Sequence, residues 1–485
     1  MAIAALDQGT TSTRALRLED DGRAHVVHVA THRQMYPAPG WVEHDPEELM
    51  AALVACAEAA RDVDAIGLDN QGESCLAWNR ATGEAISPVI VWQDSRTEPV
   101  IARLKAEGAE PMVLERAGLP LDAYFSATKL AWIVQNIPAA KALLDKGDLC
   151  LGTTDAFFLQ RLTGRAVTDI TTASRTALMN IRTGAWDEAL CDLFGVPMEA
   201  LPPIVPTTGD FGAVSVGGRA IPMVAAIVDQ QAALYGHGCR TAGDTKITVG
   251  TGAFVLMVTG ATVETAPDQG LLPTVAWQKA GEAPVYALDG GVYAAAAAVN
   301  WARSLGLFSS FDEINQFAAP PALSRGIAFV PALSGLACPH WRRDARGVFL
   351  GLSLETTRQD MMQALLEGIA FRCAEVVGAM SARIASKGPV SVDGGLANNP
   401  YFCQVLADAM GRAVDIPEGG ELTALGTAAL AAEAMGKAPQ LRLARRHVAP
   451  GSDLTALRPR FAAAVDASIA WGAGDQATMG RTDVV

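Results

Sequence analysis

The sequence predicts an α/β protein made of two related halves that face each other across a cleft. Three observations carry that reading. The chain opens on a β-rich apolar run ending in a turn, Ile3-Ala-Ala-Leu-Asp7-Gln8-Gly9-Thr10-Thr11-Ser12-Thr13-Arg14, and about 240 residues later it returns to the theme as Ile247-Thr-Val-Gly250-Thr251-Gly252-Ala-Phe254. Beyond a boundary near Gly236, Gly238 and Gly243, strands followed by helices begin again. Short apolar runs also end in polar residues, as buried strands do when they deliver side chains from their carboxyl ends; Ala65-Ile-Gly-Leu-Asp69 and Val89-Ile-Val-Trp92 are examples.

Residues 2 to 30 read as two or three strands turning at Gly9 and at Asp20-Asp21-Gly22. Pro46-Glu47-Glu48 opens an amphipathic helix running to about Arg61, with acids in the first turn where the helix dipole favours them. Helical periodicity governs 127–136, 139–145 and 187–194. A proline cluster at Pro202, Pro203 and Pro206 leads into a strand pair, Val214 to Val228, broken at Gly217-Gly218. In the second half, strands extend to about residue 290, and helices are expected over 293–305, 358–382, 400–411 and near 456–471.

At 485 residues, with half of them hydrophobic and 19% charged, the chain can bury large cores in two big domains or about three ordinary ones. A formal charge of −14 argues against a nucleic-acid partner, whose binding relies on counterion release. It does not argue against a nucleotide, which a local cluster of donors can hold. The eight cysteines form no C-x-x-C pair and read as reduced thiols, hence a cytoplasmic setting. The alanine-rich stretch Ala294 to Ala298 lies between Asp289 and Asn300, too short to insert in a membrane.

The two Gly/Thr-rich tips suit phosphate, because small residues let backbone N–H groups approach an anionic oxygen and threonine hydroxyls add donors. Asp229 follows Pro222-Met-Val-Ala-Ala-Ile-Val228 and precedes the helix-like Gln230-Gln231-Ala-Ala-Leu-Tyr235. That is where open α/β sheets address ligands, and it is also where an aspartate commonly caps a helix. In a kinase, a carboxylate there would accept the proton of an attacking hydroxyl. Gly72-Glu73, Trp92-Gln93-Asp94 and Tyr124 combine carboxylates with aromatics, a set suited to a polyhydroxylated ligand. Val392-Asp393-Gly394-Gly395 with Asn398-Asn399 reads as a turn that an adenine or ribose could approach. Trp341-Arg342-Arg343-Asp344-Ala-Arg346 reads as a solvated basic loop.

Taken together, these segments resemble the FGGY carbohydrate kinase family, and within it the glycerol kinase branch. The resemblance lies in Asp7 to Arg14, Pro39 to Asp45, Ile90 to Thr97, Tyr124 to Trp132, Val167 to Leu178, Asp229 to Leu234, Gly250 to Phe254, Phe329 to Leu352, Asp393 to Asn399 and Thr423 to Gly426. It implies two ribonuclease H-like α/β domains of the actin, Hsp70 and hexokinase type closing over ATP and sugar. The N-terminal domain would span 1–240 and the C-terminal one 241–440, with a helix and tail over 441–485.

The resemblance further implies that Thr10, Thr11, Ser12, Arg14 and Thr251 contact phosphates. Ala296, Asn300, Gly395 and either Asn398 or Asn399 would lie near the adenosine. Asp229 would be the general base, Asp7 would position Mg²⁺ through water with Asp229 beside it, and Gly72, Glu73, Trp92, Tyr124, Gln230 and Phe254 would line the polyol pocket. A homo-oligomer, dimer or tetramer, is expected.

Three departures stand out. Gly72 replaces the arginine that precedes the pocket glutamate in glycerol kinases, Ala296 replaces a glycine and Asn300 a glutamine. The first removes a fork of donors and leaves space, which makes a tetritol or a ketose such as erythrulose, xylulose or ribulose the alternative to glycerol. A non-catalytic nucleotide or sugar binder would lack the base or a tip, and neither is lost. An Hsp70-like ATPase would want a further peptide-binding domain, for which only about 45 residues remain.

Overall fold

Two sheets of the same topology dominate the computed structural model, which describes residues 1–386, 388–439 and 441–479. The first has six strands in the order Ala213–Val216, Arg219–Val228, Ala65–Asn70, Ile3–Gln8, Ser12–Leu18 and Ala24–Thr31. The second has seven, in the order Leu272–Trp277, Val285–Val292, Ala253–Gly260, Thr245–Val249, Val390–Asp393, Val414–Pro417 and Arg445–Val448. In each sheet the opening hairpin is antiparallel and its first strand pairs in parallel with a strand from beyond a helix. The echo heard in the sequence is thus the same substructure built twice.

Ile3–Gln8 is buried along its whole length, because both faces of the sheet are covered. Ala4 and Leu6 pack with Leu49 and Leu53 of the helix Pro46–Ala59. Ile3 and Ala5, on the opposite face, pack with Leu425, Ala428 and Ala429 of the helix Leu422–Ala434. The first helix starts where its sequence says it should: Asp45 accepts from the Glu47 N–H, Pro46 opens the first turn, and two glutamates follow. The helix Leu422–Ala434 is apolar nearly all round, so it belongs in an interior.

That interior is the junction between the halves. Leu422–Ala434 crosses the helix Asp229–Gly236 so closely that a Cβ on Gly236 would stand 1.9 Å from the Leu422 carbonyl oxygen, and one on Gly426 would stand 1.9 Å from that of Ala232. Only glycine permits the two backbones to meet.

A smaller four-stranded sheet, Glu43–His44, Val89–Ile90, Cys75–Asn79 and Leu149–Thr153, sits on the first lobe and carries the residues around Glu73 and Trp92. Beyond residue 440 the described residues join the second lobe, while the expected tail over 480–485 lies outside the described residues. Arg445–Val448 adds an edge strand to the second sheet, and Arg458–Met479 packs with Phe461 stacked on Phe371. All eight cysteines are buried and unpaired, and among the described residues no helix is long and apolar enough to cross a membrane.

Candidate functional site

The floor of the cleft is acidic. Asp7 is the penultimate residue of the strand Ile3–Gln8, and Asp69 lies beside it in register on the parallel neighbour. Burial raises both carboxyls, and the charge of Asp7 helps hold Asp69 well above the ordinary range. Both shifts run toward the protonated form. Thr427 Oγ donates to Asp69 Oδ2 at 2.7 Å, and Arg14 lies 3.6 Å from Asp7 while pairing with Glu421 and donating to Ser12 Oγ at 3.0 Å.

Asp229 is the first residue of the helix that follows Arg219–Val228, so it stands at a strand's carboxyl end and a helix N-terminus together. Its Oδ1 accepts the N–H of Gln230 at 2.7 Å. Burial, and then the charge of Glu73, push its carboxyl up to about 7.

Above Asp229 lies a cavity of about 180 Å³ lined by Thr10, Gly72, Glu73, Trp92, Tyr124, Arg175, Gln230, Phe254 and Asp289, among others. All the polyol-pocket residues expected from the sequence therefore come together. The aromatic wall is ordered by contact and by charge. Trp92 and Tyr124 meet edge to face at 5.7 Å, and Trp92 Nε1 donates to Thr10 Oγ at 3.1 Å. The loop bearing Tyr124 is clamped by buried Lys129, whose Nζ donates to the carbonyls of Ala123, Tyr124 and Phe125 at 2.6, 2.6 and 3.2 Å. Lys246, fully buried, donates to Gln230 Oε1 at 2.6 Å. A lysine can only donate, so the amide oxygen faces it and the NH₂ of Gln230 is left for the pocket.

The space expected beside Gly72 is filled. A Cβ there would lie 2.6 Å from Val228 Cγ2, and Arg175 reaches the same wall from the segment after residue 170. Arg175 Nε donates to Glu73 Oε1 at 2.7 Å and its Nη2 lies 3.2 Å from Asp289 Oδ2, on the opposite lobe. A second cavity of about 250 Å³, mostly apolar, adjoins the first and shares Trp92, Tyr124, Arg175, Phe254 and Asp289 with it. Arg343, expected in a solvated loop, lines this antechamber and pairs with Asp122 across the cleft at 2.6 Å.

Both hairpin tips have their carbonyls tied back. The carbonyls of Gly9 and Thr10 each accept from His32 Nε2 at 3.1 Å. Those of Gly250 and Thr251 accept from the N–H groups of Ala296, Ala295 and Ala297 at 2.9 to 3.0 Å, where the helix Ala296–Ser304 begins. Thr11 and Thr251 are exposed at the tips, and Asn300 is exposed on that helix.

Gly395 opens a short 3₁₀ turn through Asn398. Of the two asparagines, Asn399 is buried and caps the helix Pro400–Met410 through Phe402 N, with its NH₂ on the Ile314 carbonyl. Asn398 is the exposed one. The expectation that either could face a nucleoside narrows to Asn398.

Among the described residues no group of three or more His, Cys, Asp or Glu is arranged as a direct metal cage. A few carboxylates at a phosphate site suit Mg²⁺, which keeps most of its water and is shared with phosphate oxygens.

Asp69, Arg175, Lys246 and Asp289 were not singled out from the sequence as site residues. Asp69 did carry a signal, since it ends an apolar run as a delivered side chain should. Arg175, Lys246 and Asp289 act through pairings more than 15 residues apart in the chain, which no local pattern reveals.

Two lobes of one topology, each offering a Gly/Thr-tipped hairpin to a cleft floored by carboxylates, define a kinase of the actin and hexokinase architecture. Comparison with known proteins gives the family. The models for the N-terminal and C-terminal domains of the FGGY family of carbohydrate kinases match residues 2–236 and 245–435. The chain is similar to a glycerol kinase of Methylobacterium nodulans, 43% identical over 455 residues and 90% of either chain, and to one of Thermus brockianus, 43% identical over 88% of either. Among solved structures it resembles Plasmodium falciparum glycerol kinase with ADP, with a TM-score of 0.89, 30% identity, and coverage of 96% of this chain and 98% of that one. The chain belongs to the FGGY family of carbohydrate kinases and is an enzyme of that kind.

Proposed function

We propose that the protein transfers the γ-phosphoryl group of ATP to a terminal hydroxyl of a small neutral polyol, glycerol first among them. The observation that supports this is the shared lining of one cavity by Asp229 and Thr10, which brings a base candidate and the first phosphate-type tip to a single small space. The similarity to glycerol kinases over nine-tenths of the chain supports glycerol as the acceptor.

In this reading the substrate's hydroxyls donate to Glu73, its C–H faces lie on Trp92, Tyr124 and Phe254, and the NH₂ of Gln230 donates to one oxygen. Asp229 takes the proton of the reacting hydroxyl; a carboxyl near 7 is well matched to that work at neutral pH. The N–H groups and hydroxyls of Thr10, Thr11, Ser12 and Thr251, with Arg14, face the phosphates, and Ala296, Asn300, Gly395 and Asn398 border the nucleoside. Mg²⁺ would be held by Asp7 through water with Asp229 nearby, and would offset phosphate charge when bound. Closure of the lobes excludes water and limits idle ATP hydrolysis.

A tetritol or ketose is the second reading. The adjoining cavity of about 250 Å³ favours it, since a longer carbon chain could extend there.

ADP release measured across glycerol, erythritol, threitol, dihydroxyacetone, xylulose and ribulose separates the two readings. Asp229→Asn should lower kcat by about 10²- to 10⁴-fold while nucleotide still binds. Retained turnover would remove Asp229 from the role of base. Light scattering tests the homo-oligomer.

A further inference from the structure

One nitrogen of a well-paired cation in the pocket has no hydrogen-bond partner. Arg175 is buried, with 7% of its side chain exposed, and lines the cavity beside Glu73 and Tyr124. Its Nε is used by Glu73 and its Nη2 by Asp289, but Nη1 is buried with no hydrogen-bond partner. An unsatisfied donor on a charged group costs more than a lost hydrogen bond is worth, so an oxygen arriving there is favoured. The charge itself is already matched. Two carboxylates hold Arg175, and Asp229 adds a third at the pocket floor, so the acceptor that fits is a neutral hydroxyl or carbonyl oxygen rather than a carboxylate.

The wall beside Arg175 is closed by carbon. Gly72 contributes no side chain, and Val228 Cγ2 stands 2.6 Å from where its Cβ would be, so this pair leaves no donor or acceptor on that side. A hydroxyl pressed against Val228 would be desolvated without compensation.

Resting on the polyol kinase reading, we propose that Arg175 is the substrate-positioning cation of this enzyme and that the Gly72–Val228 contact is its specificity wall. The polyol turns its oxygens toward Arg175, Glu73 and Asp289 and a C–H face toward Val228. Anionic sugar acids are refused because their carboxylate meets an acidic surround.

The test is steady-state kinetics of the full-length enzyme with glycerol, erythritol and gluconate. Wild type is compared with Arg175→Lys, Gly72→Arg and the double variant Gly72→Arg/Val228→Gly, each first checked for cooperative thermal unfolding. Arg175→Lys keeps the charge and loses the fork; it should raise the KM of the accepted polyol about tenfold or more, with the KM of ATP unmoved and kcat changed less. Gly72→Arg alone should raise polyol KM, because Val228 occupies its path, and removing Val228 in the double variant should bring it back by about tenfold.

A folded Arg175→Lys enzyme with wild-type polyol KM overturns the proposal, as does a Gly72→Arg enzyme whose polyol KM falls without the second change, or ready turnover of gluconate by wild type. Should Arg175→Lys fail to fold, the Gly72 pair decides alone. If wild type phosphorylates no polyol at all, the functional reading falls first; if it does so and these variants leave KM unmoved, only the inference falls.

Discussion

The two lobes set the same strand positions to different chemistry. In the first, the opening strand brings Asp7 beside Asp69; in the second, the matching strand brings Thr248 beside Asp393. Asp69 is held well above the ordinary carboxylate range by burial and by the charge of Asp7. Burial also acts to raise Asp393, but His237 and Lys246 hold it below that range. The same strand position is thus pushed toward the protonated form in one lobe and toward the ionised form in the other. The two scaffolds match, and the residues packed behind each strand end set the different electrostatics of the two positions.

The tips differ in the same way. A side chain, His32, restrains the first, whereas the N-terminus of a helix restrains the second. Carbonyls can only accept, so His32 carries its proton on Nε2; burial lowers its pKa and favours that neutral form.

The contrast is broken or sharpened most strongly at the strand ends. Asp7→Asn should cost about 10²-fold or more in kcat, while Thr248→Val in the equivalent place should cost about tenfold or less. Equal losses, measured in the ADP-release assay at saturating substrates, would erase the distinction.

Next comes pH. The base must be ionised, so kcat/KM should climb with pH through a single step near 7, where burial and Glu73 set Asp229. Stability runs the other way. Because the fold raises this carboxyl above its unfolded value, its contribution is full below about pH 4. That contribution is lost as pH rises through about 7. Thermal unfolding of the ligand-free protein should therefore drop from pH 5 to 8 by a smaller amount in Asp229→Asn than in wild type; identical pH dependence would mean the carboxyl is not held up.

Replacing His32 by Ala should lower kcat by roughly tenfold, consistent with losing hydrogen bonds that order one tip. An unchanged kcat would show that the first tip holds its shape without it.

Smallest is the effect of Asp69→Asn. An amide keeps the shape of a carboxyl pushed toward its protonated form, so kcat should stay within about threefold, whereas Asp393→Asn strips buried Lys246 of a counter-charge and should lower the thermal midpoint by several degrees. If Asp69→Asn is instead the more damaging of the two, Asp69 is ionised and the contrast is reversed.

Much of this was legible in the residues themselves. Both hairpins, and Asp229 at a strand-to-helix junction, announce themselves through local patterns of period, glycine and charge. What was hidden depends on partners far away in the chain. Leu422–Ala434 is too uniformly apolar to declare a face, so nothing local says that it lies beneath the first sheet. The filling of the space beside Gly72 needs Val228 and Arg175, each more than 100 residues distant. Asn398 and Asn399 are equal on paper and differ only because one is consumed by a helix cap.

The backbone-to-backbone crossing of Gly236 and Gly426 leaves no cushion of side chains at the joint. One arm of that joint starts with Asp229, and the other bears Thr427, which holds Asp69, and adjoins Glu421, which holds Arg14. A joint packed backbone to backbone has no slack, so the placement of Asp229 and the placement of the Asp7–Asp69 pair are fixed by one and the same contact.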